Sequence, residues 1–237
     1  MSDSAAAVAY LEQNKLFFID MREILRRGSG NLLVSGPDGV LLHDSGSGAY
    51  FLSAKTEKAL ETMLFCLPAR PELVVGHESW YLERLKAELG FERADFCVQS
   101  AWLEENPPEL PAFDGELRLL GPEWAETVHR AYSHAFGGVE YIRGAIGRGM
   151  LGLFVEEALA GFVGFHDEGT IGMLEVLPPY RRRGYGGLIL RAAVRLAMER
   201  GRYPFGQVFS DNAASLALQK KLGMTVSEEQ LYWLTRE

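Results

Sequence analysis

The spacing of apolar positions alternates between the helical and the strand period along this chain, and that alternation predicts a mixed α/β protein. Leu11, Phe17, Phe18, Met21, Ile24 and Leu25 recur at helical intervals, which predicts one helix over 8–27, stopped by Gly28. Short apolar runs at 31–35, 40–44 and 49–53 read as strands, the first two joined by the turn Gly36-Pro37-Asp38-Gly39. Helices are predicted at 56–67, ending at Pro68, and at 79–89, capped by Ser79 and ending at Gly90. Strands are predicted at 72–76 and 93–102.

The second half continues with a strand at 117–120, a helix at 122–136 with Pro122 in its first turn, and a short helix at 139–148. Three successive strands follow at 150–156, 159–166 and 170–177. A long amphipathic helix at 184–200 carries Leu188, Leu190, Val194, Ala197 and Met198 as its buried stripe. A strand at 205–210, a helix at 213–222 closed by Gly223, and a last pair of strands at Val226 and 231–234 complete the reading. Between the halves lies 104–114, where three prolines and four acidic residues make a poor helix or strand and a good linker. The predicted organisation is a smaller N-terminal α/β domain over 1–110 and a second domain over 115–237.

Composition narrows the function. The chain is 47% hydrophobic and 24% charged, as globular proteins are. No run of about 18 apolar residues is long enough to cross a membrane. The N-terminus lacks a basic stretch followed by an apolar one, so a cytoplasmic location is expected. Cys66 and Cys97 sit in apolar surroundings and read as buried thiols, not as a disulfide or a metal site. The net charge of −8 is concentrated before residue 116, the remainder being near neutral with one dense basic spot at Arg181, Arg182 and Arg183. A nucleic-acid partner would need a broad basic face; one compact spot suits a small anionic ligand.

That spot opens the most informative segment, residues 174–190: an apolar strand, two prolines, three arginines, a glycine-rich turn and a helix start. A helix N-terminus carries unpaired backbone N–H groups and a partial positive charge. Gly184, Gly186 and Gly187 remove the side chains that would keep a pyrophosphate away from those groups, and arginines add charge-assisted hydrogen bonds. The dinucleotide fingerprint Gly-x-Gly-x-x-Gly and the Walker pattern are both absent.

Arg181-x-x-Gly184-x-Gly186, preceded by Val176-Leu177-Pro178, resembles the signature of the GNAT superfamily of N-acetyltransferases. Residues 210–224, Ser-Asp-Asn-Ala-Ala-Ser-Leu-Ala-Leu-Gln-Lys-Lys-Leu-Gly-Met, resemble a second block of that superfamily, in the right order after a helix and a strand. The match covers roughly 115–237 and is most similar to the glycine N-acyltransferase-like branch, in which a degenerate GNAT-like half precedes the catalytic one. The resemblance implies the GNAT acyltransferase fold, acetyl-CoA as co-substrate without a metal, and direct transfer of an acyl group to a primary amine. It implies that the strand holding Leu174 and Val176 splays from the one holding Val208, and that pantetheine hydrogen-bonds to Leu174 and Val176. It implies further that Arg181, Arg182, Arg183, Gly184, Tyr185, Gly186 and Gly187 cradle the phosphates, while Asn212 and Ser215 reach the cofactor from the next helix start.

The chemistry needs a base for the attacking amine. Positions that carry a glutamate base and a tyrosine acid in many relatives hold Gln207 and Gln219 here. Glu175, on the strand where the acyl carbonyl is expected, is the candidate base, with His166, Glu168 and water as alternatives; Glu168 reads more naturally as a solvated turn residue and His166 as structural. Tyr132, Phe136, Tyr141, Tyr232 and Trp233 are candidates to shape the acceptor pocket or are simply core. The acceptor expected is a small-molecule amine or an amino acid; a peptide N-terminus, or a CoA-binding regulatory module without turnover, is the alternative.

Overall fold

The computed structural model describes residues 3–132 and 137–236. Its elements are α1 (Asp3–Leu11), α2 (Ile19–Arg27), β1 (Gly30–Gly36), β2 (Gly39–Asp44), β3 (Tyr50–Ala54), α3 (Glu57–Cys66), β4 (Leu73–Gly76), α4 (Leu82–Leu89) and β5 (Arg93–Ala101). There follow β6 (Glu116–Leu119), α5 (Ala125–Ala131), α6 (Gly138–Gly147), β7 (Leu151–Val155), β8 (Ala158–Phe165), β9 (Ile171–Val176), α7 (Tyr185–Glu199), β10 (Phe205–Phe209), α8 (Ala213–Leu222) and β11 (Thr225–Thr235). The class is mixed α/β.

Two compact units form, and they do not follow chain order: Met1–Ser100 with Gln207–Ala213 and Val226–Glu237, and Ala101–Gly206 with Ala214–Thr225. In the first, β1, β2 and β3 form an antiparallel meander, β3 pairs parallel with β4, and β4 pairs antiparallel with β11, within a seven-stranded sheet ordered β1-β2-β3-β4-β11-β5-β10. One face is covered by α1, α2 and the segment between them through Tyr10, Phe17, Phe18, Met21 and Ile24; the other is covered through Leu60, Met63, Leu85 and Leu89 of α3 and α4. The side chain of Thr56 caps α3, accepting from the Ala59 N–H at 3.3 Å.

The second unit contains the antiparallel sheet β6-β7-β8-β9. Its two faces have different covers. Leu188, Ile189, Leu190, Ala193, Val194 and Ala197 of α7 pack on one side with Leu153, Val163 and Ile171. Val128, Ile142, Ala145 and Ile146 of α5 and α6 pack on the other with Phe154, Phe162 and Met173.

Four elements differ from their sequence-based expectations. The helix expected over 79–89 with Ser79 as its cap begins as a 3-10 turn at Ser79–Tyr81 whose N-cap is Glu78, and continues as α4. The helix expected over 8–27 is broken: Asn14 turns its side-chain oxygen onto the Phe17 N–H at 3.1 Å, satisfying a backbone donor that a continuous helix would have used and letting both Phe17 and Phe18 turn inward. The two short strands expected at the C-terminus are one eleven-residue strand, β11; its polar middle, Glu228–Gln230, is exposed strand and not a turn. The helix expected over 122–136 begins as a 3-10 turn at Pro122–Trp124 and continues as α5 to Ala131; its end falls outside the described residues. Cys97 is buried as expected, but Cys66 is exposed, because the buried stripe of α3 runs through Leu60 and Met63 and leaves Phe65 and Cys66 outside it.

Candidate active site

The site is built on β9, an edge strand of its sheet. Its pairing with β8 slips between Phe162/Gly164 on one side and Gly172/Glu175 on the other, so β9 carries one extra residue. Met173 absorbs the bulge at φ +54°, a left-handed conformation that an unbranched L-residue adopts at a cost of about 1–3 kcal/mol. The bulge resets which side chain faces which way. Ile171 lies in the core under α7, Met173 on the α5/α6 side, and Leu174 under α7 again. Glu175 then pairs across from Phe162 on the α5/α6 side, and Val176 returns to the α7 side. In a regular strand, Glu175 would have pointed into the apolar packing beneath α7.

Leu177 N–H reaches the Ala160 carbonyl at 2.9 Å, so by strand alternation the backbone groups of Val176 point away from β8, toward the open edge. The Val176 carbonyl is taken there by Arg181 Nε at 2.9 Å, and Arg181 Nη2 bonds Glu175 Oε1 at 3.0 Å. Arg181, expected among the phosphate ligands, thus sits as a clamp between the loop and β9, and Glu175, the candidate base, is ion-paired.

Pro178–Tyr180 form a 3-10 turn after β9. Arg182 takes φ +65° and Gly184, the N-cap of α7, φ +83°. Among the described residues no side chain caps α7, and its first intrahelical bonds run from the Gly187 and Leu188 N–H groups to the Gly184 carbonyl at 3.1 and 3.2 Å. The N–H groups of Tyr185 and Gly186 precede these bonds and face outward from the helix start. Gly184 has no heavy atom within 4 Å of where a Cβ would stand. A Cβ on Gly186 would touch Leu218 of α8 at 3.6 Å and Val176 at 3.8 Å, so that residue marks where β9, α7 and α8 converge. Arg182 and Arg183 are exposed, and Arg183 lies over the Tyr180 ring at 5.7 Å. Ser215 stands half-buried in the first turn of α8. Asn212 belongs to the other unit, where its N–H bonds the Phe209 carbonyl at 2.9 Å.

On the α5/α6 side of β9 stands a group of residues whose association is not visible in the sequence. Tyr141 Oη lies 2.6 Å from His166 Nδ1. The imidazole covers Gly172, where any Cβ would collide with Nε2. Glu168 is buried, not solvated as its turn position suggested: it is 7% exposed and accepts from Thr170 Oγ1 at 2.5 Å. Asp167 pairs with Arg148 at 2.5 Å, and the Arg148 guanidinium lies 5.6 Å from the Tyr141 ring. Burial, then the charges of Glu168 and Asp167, push the Tyr141 hydroxyl well above the usual phenol range. Tyr132 packs edge-on against Phe162 with ring centres 6.5 Å apart. Burial, then the charge of Glu175, push Tyr132 up to about 12.

The remaining expected positions lie elsewhere. Gln207 donates to Asp20 Oδ2 at 3.0 Å and accepts from Trp233 Nε1 at 2.7 Å, all within the first unit. Tyr232 and Trp233 belong to the core packing of that unit. Gln219 is buried, 3.6 Å from where a Cβ on Gly206 would stand, and its Oε1 has no hydrogen-bond partner among the described residues. Phe136 falls outside the described residues. Among the described residues no group of three or more His, Cys, Asp or Glu side chains is placed to hold a metal, and no helix is long and apolar enough to cross a membrane.

Residues 150–234, which contain β7–β10, α7, α8 and most of β11, match the FR47-like protein family. No curated protein matches the sequence. Among solved structures, a Drosophila protein is similar over 100% of this chain and 97% of its own at 18% identity and a TM-score of 0.74. A GCN5-related N-acetyltransferase from Kribbella flavida is similar over 92% and 94% at 16% identity and a TM-score of 0.56. One from Sphaerobacter thermophilus is similar over 98% and 93% at 18% identity and a TM-score of 0.52. The fold is therefore that of the GCN5-related acetyltransferases, the superfamily that the motifs resemble.

Proposed function

We propose that this protein transfers an acetyl or short acyl group from coenzyme A to a primary amine of a small molecule or an amino acid. The observation that carries this reading is the pairing of a glycine-rich helix start, at Gly184–Gly187, with the open edge of β9, where Val176 presents its backbone outward. The uncapped N–H groups suit a pyrophosphate, which Arg182 and Arg183 would steady by charge. The pantetheine amides would pair with the backbone of Leu174, as an added strand pairs with an edge strand, since the Val176 carbonyl is held by Arg181. The Val176 N–H is the donor available to a thioester carbonyl oxygen as charge develops there.

The catalytic role falls to 115–237. In the first sheet α3 connects the parallel strands β3 and β4, and its start is occupied by the Thr56 side chain, which supports reading 1–110 as a degenerate GNAT-like domain. Residues 207–224 favour the glycine N-acyltransferase-like branch of the superfamily. A second reading, a CoA-binding module without turnover, is favoured by Gln207, whose amide is locked between Asp20 and Trp233 and has no acid–base chemistry.

The test is release of free thiol from acetyl-CoA in the presence and absence of amines such as glycine and 2-phenylethylamine, together with an N-terminal peptide amine. Amine-dependent release by the small acceptors supports the proposal. Release with the peptide alone would move the acceptor class to protein N-termini, and binding without release under any amine would favour the module.

A further inference from the structure

We infer that Tyr141 and His166 form the proton relay that deprotonates the attacking amine. The inference rests on the acyl-transfer reading above and deepens it. Four observations converge. The α7 side of β9 is filled by apolar packing, whereas the α5/α6 side carries the half-buried polar groups Tyr132, Tyr141, His166 and Glu175, so an amine reaching a thioester on β9 arrives on that side. Glu175 stands there too, but Arg181 holds its Oε1 at 3.0 Å. The Tyr141 hydroxyl and His166 Nδ1 are 2.6 Å apart, close enough for one proton to pass between them. Finally, the turn that follows His166 carries two carboxylates, the buried Glu168 and the Arg148-paired Asp167.

The steps balance without a charged tyrosine. As the amine nitrogen bonds the thioester carbon, its surplus proton passes to Tyr141 Oη. The hydroxyl proton of Tyr141 passes to His166 Nδ1. Tyr141 ends neutral, as its burial demands, and His166 ends as an imidazolium with both ring nitrogens protonated, beside Glu168 and Asp167. Tyr141 is the group that touches the reacting nitrogen; His166 acts through it. The groups that face this pair are Arg148 from the end of α6, Tyr132 after α5, Asp167, Glu168 and Thr170 from the turn, and Glu175 from β9.

The relay makes one structural demand independent of turnover: His166 must be in the tautomer whose Nδ1 accepts and whose Nε2 carries the hydrogen. Nitrogen-detected NMR of histidine-labelled wild-type protein reads this directly. An unprotonated Nδ1 that shifts in Tyr141→Phe supports the relay, and a protonated Nδ1 overturns it. The kinetic arm uses acetyl-CoA with glycine and 2-phenylethylamine. Tyr141→Phe and His166→Gln should each lower kcat/KM by roughly 10²–10⁴-fold and flatten its rise with pH, while calorimetry shows unchanged acetyl-CoA affinity. Turnover within twofold of wild type with an intact pH profile overturns the relay and leaves the acyltransferase reading standing. Wild-type protein that releases no thiol with any amine overturns both.

Discussion

Arg181 spans the turn after β9 and bonds two consecutive residues of that strand, Nε to the Val176 carbonyl at 2.9 Å and Nη2 to the Glu175 carboxylate at 3.0 Å. One guanidinium thereby fixes the register between the open strand edge and the glycine turn that starts α7. The pair is largely exposed on the arginine side, so its contribution to global stability is small, about 0.2–1 kcal/mol. Its consequence for the loop is larger. Arg181→Ala should leave the melting temperature within a few degrees of wild type while weakening acetyl-CoA binding several-fold. Arg181→Lys should not restore it, because an ammonium cannot hold both partners in the planar fork geometry. A lysine variant that binds as tightly as wild type would remove the clamp from the account.

Glu175 and Arg181 make a separate prediction about catalysis. If Glu175 serves as the base, Glu175→Gln should lower kcat by roughly 10²–10⁴-fold. If the carboxylate serves only to hold Arg181 and attract a cationic amine, the same change should raise KM at nearly constant kcat. The relay through Tyr141 predicts the second pattern. Steady-state kinetics over a range of amine concentrations separates the two.

The first unit contains a buried ion pair whose sign can be worked out. His77 Nδ1 faces the Leu52 carbonyl at 3.2 Å and Nε2 faces Asp20 Oδ1 at 3.1 Å, so both nitrogens meet atoms that only accept, and the ring must carry both protons. Burial alone would lower the His77 pKa, but Asp20, by charge and hydrogen bond, outweighs it and raises the pKa above the ordinary histidine value of 6.5. A group with a raised folded-state pKa contributes stability that is fully present below about 6.5, near the unfolded value, and is lost as pH rises through the folded value. The melting temperature should therefore fall as pH is raised above neutrality, once other titrations are subtracted by comparison with His77→Gln. A difference between the two proteins that does not change with pH would show that the ring is not charged in the folded state.

The loop and helix start of the candidate site were legible because their signal is local: glycines at 184, 186 and 187 after a proline stop specify an uncapped helix entry whatever surrounds them. The bulge in β9 was not. It falls on Met173, and no glycine marks its positive φ, so the reversal that carries Glu175 to the α5/α6 side left no trace in the spacing. Tyr141 and His166 are 25 residues apart and read separately as a pocket aromatic and a structural strand-end histidine; only the packing of α6 over β8 joins them. The burial of Glu168 was hidden for the same reason, since its turn position suggested solvent. The break of the first helix at Asn14 depends on one side-chain bond that helical periodicity averages away.

The central claim is that the start of α7 holds the phosphates of an acyl-CoA, and calorimetric titration of acetyl-CoA tests it most directly. The variant suited to the comparison is Arg183→Glu, because Arg183 is exposed and stacks on Tyr180, so its loss should leave the fold unchanged by circular dichroism. The account predicts saturable one-to-one binding by the wild-type protein, weakened at least tenfold in Arg183→Glu and weakened by added salt, as charge-assisted phosphate contacts require. Equal affinity in the two proteins, or no binding to either, would contradict it.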